Sequence, residues 1–178
     1  MHLLRGVLTA SAPARVVVVA SRAHRAARRG LDFDDLESAR RYRPFAVYCR
    51  TKLMNVLFTR ELARRLAGTG VTANAVHPGY VASGFGRDGD TGRLGELAMM
   101  LGRPFAISPQ AGARTSVYVA SSPEVEGLTG LYFERCTPVP PAPAARDDAA
   151  AARLWEVSAR LTGADDRPGG AGPAPDAR

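Results

Sequence analysis

Lysine is nearly missing from this chain. Of its 24 basic residues 23 are arginine, and Lys52 is the single lysine among 178 residues. A composition so biased toward arginine keeps a lysine by chance, or where only a compact primary ammonium serves. Cysteine is scarce as well: Cys49 and Cys136 lie far apart in a chain too long to need stapling. Reduced thiols in a reducing compartment follow, with no disulfide and no metal site. No stretch approaches the roughly 20 consecutive apolar residues of a membrane span. The arginines run from Arg5 to Arg178 without forming one basic helix or a patch interleaved with stacking aromatics. The net charge of +7 therefore does not point to nucleic acid. Only Arg22, Arg25, Arg28 and Arg29 cluster, in what reads as a solvated loop.

What is present is the alternation of an α/β domain. Apolar residues make up 46%, enough for one domain with a sizeable core. The opening MHLLRGVLTASA imitates a signal peptide, but Arg5 and Gly6 break the apolar region, and the end of a helix is the better reading. Arg15 to Ser21, with four consecutive valines, reads as a strand buried on both faces of a parallel sheet. Phe45 to Leu66 reads as a long helix, with Leu53, Val56, Leu57, Ala63 and Leu66 at helical spacing and Gly68 and Gly70 beyond its end. Val71 to His77 reads as a second strand, ended by Pro78-Gly79. Helices are expected over 94–101 and 109–121, a third strand over 131–133, and a last helix over 147–161 with Asp147 and Asp148 at its positive end. Residues 1–162 make the expected domain. Residues 163–178 have nothing to bury and are expected to be disordered.

Tyr48 and Lys52 stand four apart on the predicted helix, so their side chains leave the same face. A free tyrosine titrates near ~10; a fixed ammonium that stabilises its phenolate makes it a usable acid and base near neutrality. Taken alone, such a pair reads as an ordinary exposed helical pair. Two further features raise it to a candidate site. Ser21 lies at the C-terminal end of one predicted parallel strand and Pro78-Gly79 at the same end of the next, the edge where open α/β sheets place their ligands.

Tyr48-x-x-x-Lys52 after a strand-end Ser21, followed by His77-Pro-Gly-Tyr-Val-Ala-Ser83, resembles the short-chain dehydrogenase/reductases. Residues 46 to 79 resemble the retinol dehydrogenase branch nearly throughout, and the ending PPAPAARDDAAAARLWEVSARL resembles its dehydrogenase/reductase member 13 type. The resemblance covers about residues 1 to 162 and implies a partial Rossmann-like doubly wound parallel sheet, its last three strands with flanking helices. It implies NADP or NAD as cofactor and a lipophilic, retinol-like alcohol or its carbonyl as substrate. Tyr48 would be the general acid/base, Lys52 would support it and hold the nicotinamide ribose, and Ser21 would orient the substrate oxygen. Pro78, Gly79, Val81 and Ser83 would meet the nicotinamide end of the cofactor. Where the branch commonly has two serines the first is Ala20 here. Met54 stands in place of a smaller residue, and the loop Arg25 to Arg29 looks lengthened. Full-length relatives of this branch are expected to be membrane-associated.

Glycines 79, 84 and 86 follow the Pro-Gly turn and open no helix, so they do not make a phosphate loop. No Gly-rich strand, turn and helix precedes Ser21. The sequence therefore leads us to expect the C-terminal, catalytic half of such a domain, with the cofactor-gripping half missing and activity impaired. A first strand with an open edge is expected to favour pairing through that edge or through the long helix. The alternative function is thus a non-catalytic chain that acts at most as an interaction module.

Overall fold

The structure, a computed structural model, describes residues 1–82, 104 and 106–164. The helix expected over 94–101, Ser83, and the tail from residue 165 onward lie outside the described residues.

A short helix, α1 (Arg5–Ala10), opens the chain. Strand β1 (Ala14–Val19) carries the valine run, whose branched side chains suit a pleated surface. It stops two residues before the expected end because Ser21 turns out of the strand to cap a 3-10 turn over Arg22–Ala26. Helix α2 (Pro44–Arg65) begins with proline at its first position, where no hydrogen-bonding N–H is lost. Strand β2 (Val71–His77) and helix α3 (Pro109–Ser121) have the bounds read from the sequence. Strand β3 (Tyr132–Glu134) lies one residue later than expected. Helix α4 (Asp148–Thr162) is capped by Asp147, whose carboxylate accepts the Ala150 N–H (2.9 Å), and closed by Gly163 at φ 64°.

Among the described residues the sheet order is β1, β2, β3, β4, with β1, β2 and β3 parallel. Ala14 pairs with Val71 and Val19 with Val76, so β1 and β2 end level. His77 pairs with Glu134, which brings the end of β3 to the same edge. The fourth strand, β4 (Thr137–Pro138), had no counterpart in the sequence reading. It returns antiparallel through Arg135 and Cys136, both at positive φ, a two-residue hairpin turn.

Side chains alternate between the two faces of the sheet. Val16, Ala73, Ala75 and Tyr132 meet α2 and α4, with Leu53, Leu57, Leu62 and Trp155 filling the layer. Val76 and Phe133 meet Val119 of α3 and Val125 on the other face. Full burial of a leucine contributes roughly 1.5–3 kcal/mol, so Leu53, Leu57 and Leu62 alone anchor α2 firmly to the sheet. Asn74, buried within β2, is satisfied: its amide donates to Leu128 O (2.7 Å) and its oxygen accepts the Leu131 N–H (3.0 Å). The result is an α/β, Rossmann-like arrangement, a mostly parallel sheet with helices on both faces. Among the described residues β1 is bonded to β2 alone, and Val19 at its end is 50% exposed. No described helix is long and apolar enough to cross a membrane.

Candidate active site

The site grows from the last peptides of β1. Ser21 has extended backbone, and its Oγ accepts the Ala23 N–H (3.2 Å), which leaves the hydroxyl proton to be donated elsewhere. Its carbonyl accepts from Nδ1 of His24 (2.7 Å), while the Ala142 N–H donates to the other ring nitrogen (3.0 Å). These two bonds require neutral His24 with the proton on Nδ1, and burial pushes its pKa down in the same direction. His24 is fully buried, with the Tyr132 ring edge-on at 4.8 Å. Ser21 is thereby fixed from below by a histidine that reaches the Pro-rich segment before α4.

Helix α2 crosses behind this turn and presents the tyrosine and lysine. Lys52 Nζ donates to the carbonyl of Val19 (3.4 Å), two residues before Ser21, and lies 5.6 Å from the centre of the Tyr48 ring. Burial lowers the pKa of Lys52. Asn55, one turn further on, donates through Nδ2 to the same Val19 carbonyl (3.1 Å). Asn55 was not singled out in the sequence; its place one turn beyond Lys52 was the available signal. Cys49 is buried and its thiol pKa is raised by that burial, so it behaves as an apolar residue of the core.

Pro78 and Gly79 leave β2 beside β1. Gly79 has φ +97°, and a Cβ there would stand 2.8 Å from Ile107 Cδ1, so both backbone and space demand glycine. Val81 forms a parallel bridge with Ile107, made by Ile107 N–H to Tyr80 O (2.8 Å) and Ala82 N–H to Ile107 O (2.9 Å). In a parallel pair such bonds leave the N–H and C=O of Val81 pointing the other way. Gly112 of α3 makes room for the bridge, since a Cβ there would lie 2.5 Å from Val81 Cγ2.

Sequence reasoning missed one group. The Arg22 N–H donates to Nδ1 of His77 (3.3 Å), and its guanidinium binds Glu134. Arg25 donates to Pro140 O (2.8 Å). The loop is solvated as expected, with Arg22, Arg25, Arg28 and Arg29 all exposed, but Arg22 and Arg25 also reach across to Glu134 and Pro140. The available signal was position: His77 and Glu134 are the final residues of two parallel strands. Among the described residues no group of histidine, cysteine and carboxylate side chains has the makings of a metal site.

Comparison with known proteins identifies the family. No family model matches. Retinol dehydrogenase 14 of Homo sapiens is 45% identical over 163 residues, 91% of this chain and 48% of that protein. Retinol dehydrogenase 12 of Homo sapiens is 46% identical over 165 residues, 91% of this chain and 50% of that protein. A crystal structure of a putative uncharacterized protein from Mycobacterium Paratuberculosis superposes with a TM-score of 0.61 at 33% identity, covering 84% of this chain and 50% of that one. The chain spans about half the length of the curated relatives it matches. By sequence and by fold, the chain belongs to the short-chain dehydrogenase/reductase family, where it matches the C-terminal half of the retinol dehydrogenase branch.

Proposed function

We propose that this chain contributes the proton-transfer side of an NAD(P)-dependent oxidoreductase that interconverts a lipophilic, retinol-like alcohol and its carbonyl. The observation that carries the reading is the tie from Lys52 to the Val19 carbonyl, which sets the ammonium beside the end of the strand that leads to Ser21. Tyr48, one turn earlier on α2, passes a proton to or from the substrate oxygen. Lys52 stabilises the phenolate and, with its remaining N–H donors, holds ribose hydroxyls. Ser21 donates its hydroxyl proton to the substrate oxygen and stabilises charge there.

The residues present fit the nicotinamide end of such a cofactor. Gly79 gives the turn its positive φ, and the N–H and C=O of Val81, turned away from Ile107, would meet a carboxamide. A bound nicotinamide would supply or accept the hydride. No Gly-rich strand, turn and helix for the pyrophosphate stands among the described residues.

A second reading, a chain that acts by pairing with another polypeptide and not by catalysis, is favoured by the edge of β1, which has no strand beside it among the described residues. One experiment separates the two. The purified chain is titrated with NADPH and NADH by nucleotide fluorescence, and aldehyde reduction is assayed with Tyr48→Phe alongside. Saturable binding with turnover that disappears in Tyr48→Phe supports the oxidoreductase. No binding and no turnover, together with a stable complex in size-exclusion light scattering, supports the pairing reading.

A further inference from the structure

Three parallel strands end side by side at the candidate site, and one arginine, three residues beyond the end of the first, touches the ends of the other two. Arg22 directly follows Ser21. Its backbone N–H donates to Nδ1 of His77, the last residue of β2 (3.3 Å). Its guanidinium donates through Nε (3.1 Å) and Nη2 (2.5 Å) to Oε2 of Glu134, the last residue of β3. An exposed ion pair contributes little to stability, but this one is lopsided: the Arg22 side chain is 55% exposed and Glu134 only 12%. Burial opposes the Glu134 charge, and Arg22 together with His77 and Arg25 holds the carboxyl below the ordinary range all the same. Oε1 of Glu134 makes no hydrogen bond and forms a looser ion pair with Arg25 Nη2 3.9 Å away, so Arg22 holds the carboxylate most closely.

We propose that Arg22, His77 and Glu134 form a latch that positions Ser21 against the Pro78-Gly79 turn. His77 immediately precedes that turn and Arg22 immediately follows Ser21, so the bond between them fixes the spacing of the two segments. The latch closes only with His77 neutral at Nδ1, since a protonated Nδ1 becomes a donor and faces another donor. The charged and titratable groups around His77 are Glu134 from β3, Arg22 and His24 from the turn after β1, and Arg135 from the hairpin after β3. Burial and the cations favour the neutral ring, and Glu134 alone opposes them. Because the folded-state pKa of His77 is lowered, the latch is fully closed above the ordinary histidine value of about 6.5 and opens only as pH falls through the lower folded value.

The role assigned to Ser21 rests on the proposed function, so the test carries two separable arms. The first needs no turnover: hydrogen exchange and NMR of the Arg22 backbone amide in the full chain, followed from about pH 8 to about pH 5. Exchange of this amide should quicken about fivefold, beyond the intrinsic pH dependence, at the midpoint of the His77 ring titration. His77→Asn, whose amide oxygen sits where Nδ1 was and does not titrate, should keep the protection and abolish the midpoint. His77→Leu should lose the protection at every pH. Glu134→Gln should move the His77 midpoint down, and Glu134→Asp should return it part of the way. Arg22 exchange that ignores the His77 titration, or survives in His77→Leu, rules the latch out. The second arm is aldehyde reduction: Glu134→Gln should lower kcat several-fold with the nucleotide KM unchanged. An unchanged kcat with an opened latch removes the positioning role. Wild-type chain that fails to bind nucleotide counts against the proposed oxidoreductase, while the amide measurements still decide the latch.

Discussion

The two halves of α2 share one backbone and do opposite things. From Val56 to Ala63 the residues facing the sheet are buried, Leu57 and Leu62 completely. That half is gripped by α4: Phe58 stacks on Trp155 at 5.6 Å, the Arg65 guanidinium lies 4.7 Å over the same ring, and Arg60 binds Asp148. From Pro44 to Asn55 only Cys49 and Leu53 are buried. This less buried half carries Tyr48 and Lys52, both half-buried. A helix packed most densely along its second half thus positions side chains that are themselves only half-buried, so the geometry of the candidate site depends in part on packing several turns away.

Substitutions along α2 should follow this gradient. Leu57→Ala empties a fully buried position and should cost about 3 kcal/mol, read as a lower denaturant midpoint with unchanged slope. Glu61→Gln comes next. Its carboxylate is 2% exposed and accepts from Arg64 (2.9 and 2.6 Å) and Arg65 (2.6 Å), and losing the charge should cost about 2 kcal/mol. Arg64 first, and Arg65 after it, hold the Glu61 carboxyl below its ordinary value despite burial. The stability it contributes is therefore complete above the unfolded-state value of about 4.3 and is lost as pH falls through the lower folded value. The wild-type denaturant midpoint should drop in that acid window more steeply than that of Glu61→Gln.

Asn55→Ala, at the boundary between the halves, removes one donor from the Val19 carbonyl and should cost about 1 kcal/mol. Tyr48→Phe should leave stability within about 0.5 kcal/mol while abolishing any aldehyde reduction. Thermal unfolding of the four variants in parallel checks the order. A Tyr48→Phe penalty as large as that of Leu57→Ala would break the comparison; equal penalties for Asn55→Ala and Glu61→Gln would move the boundary between the halves toward Pro44.

Much of the fold was legible because its signals are local. The valines of β1, the Pro78 that ends β2 and the Ser108-Pro109 start of α3 each act within a few residues. β4 was not legible: its hairpin turn uses Arg135 and Cys136 at positive φ, and neither residue type advertises such a turn. In the site, Tyr48 and Lys52 were visible from helical spacing taken together with Ser21 and Pro78-Gly79 at the strand ends. Arg22, His77 and Glu134 were not, because Arg22 meets partners 55 and 112 residues away and no spacing rule links them.

By itself the sequence determined where the strands and helices lie and which helix face bears the tyrosine and lysine, since both depend on periods of two and 3.6 residues. The tertiary structure alone decided that three strands end level, that Lys52 and Asn55 share the Val19 carbonyl, and that Arg22 ties His77 to Glu134. Those arrangements depend on sheet register and on the packing of α2 against it, which no local stretch of chain encodes.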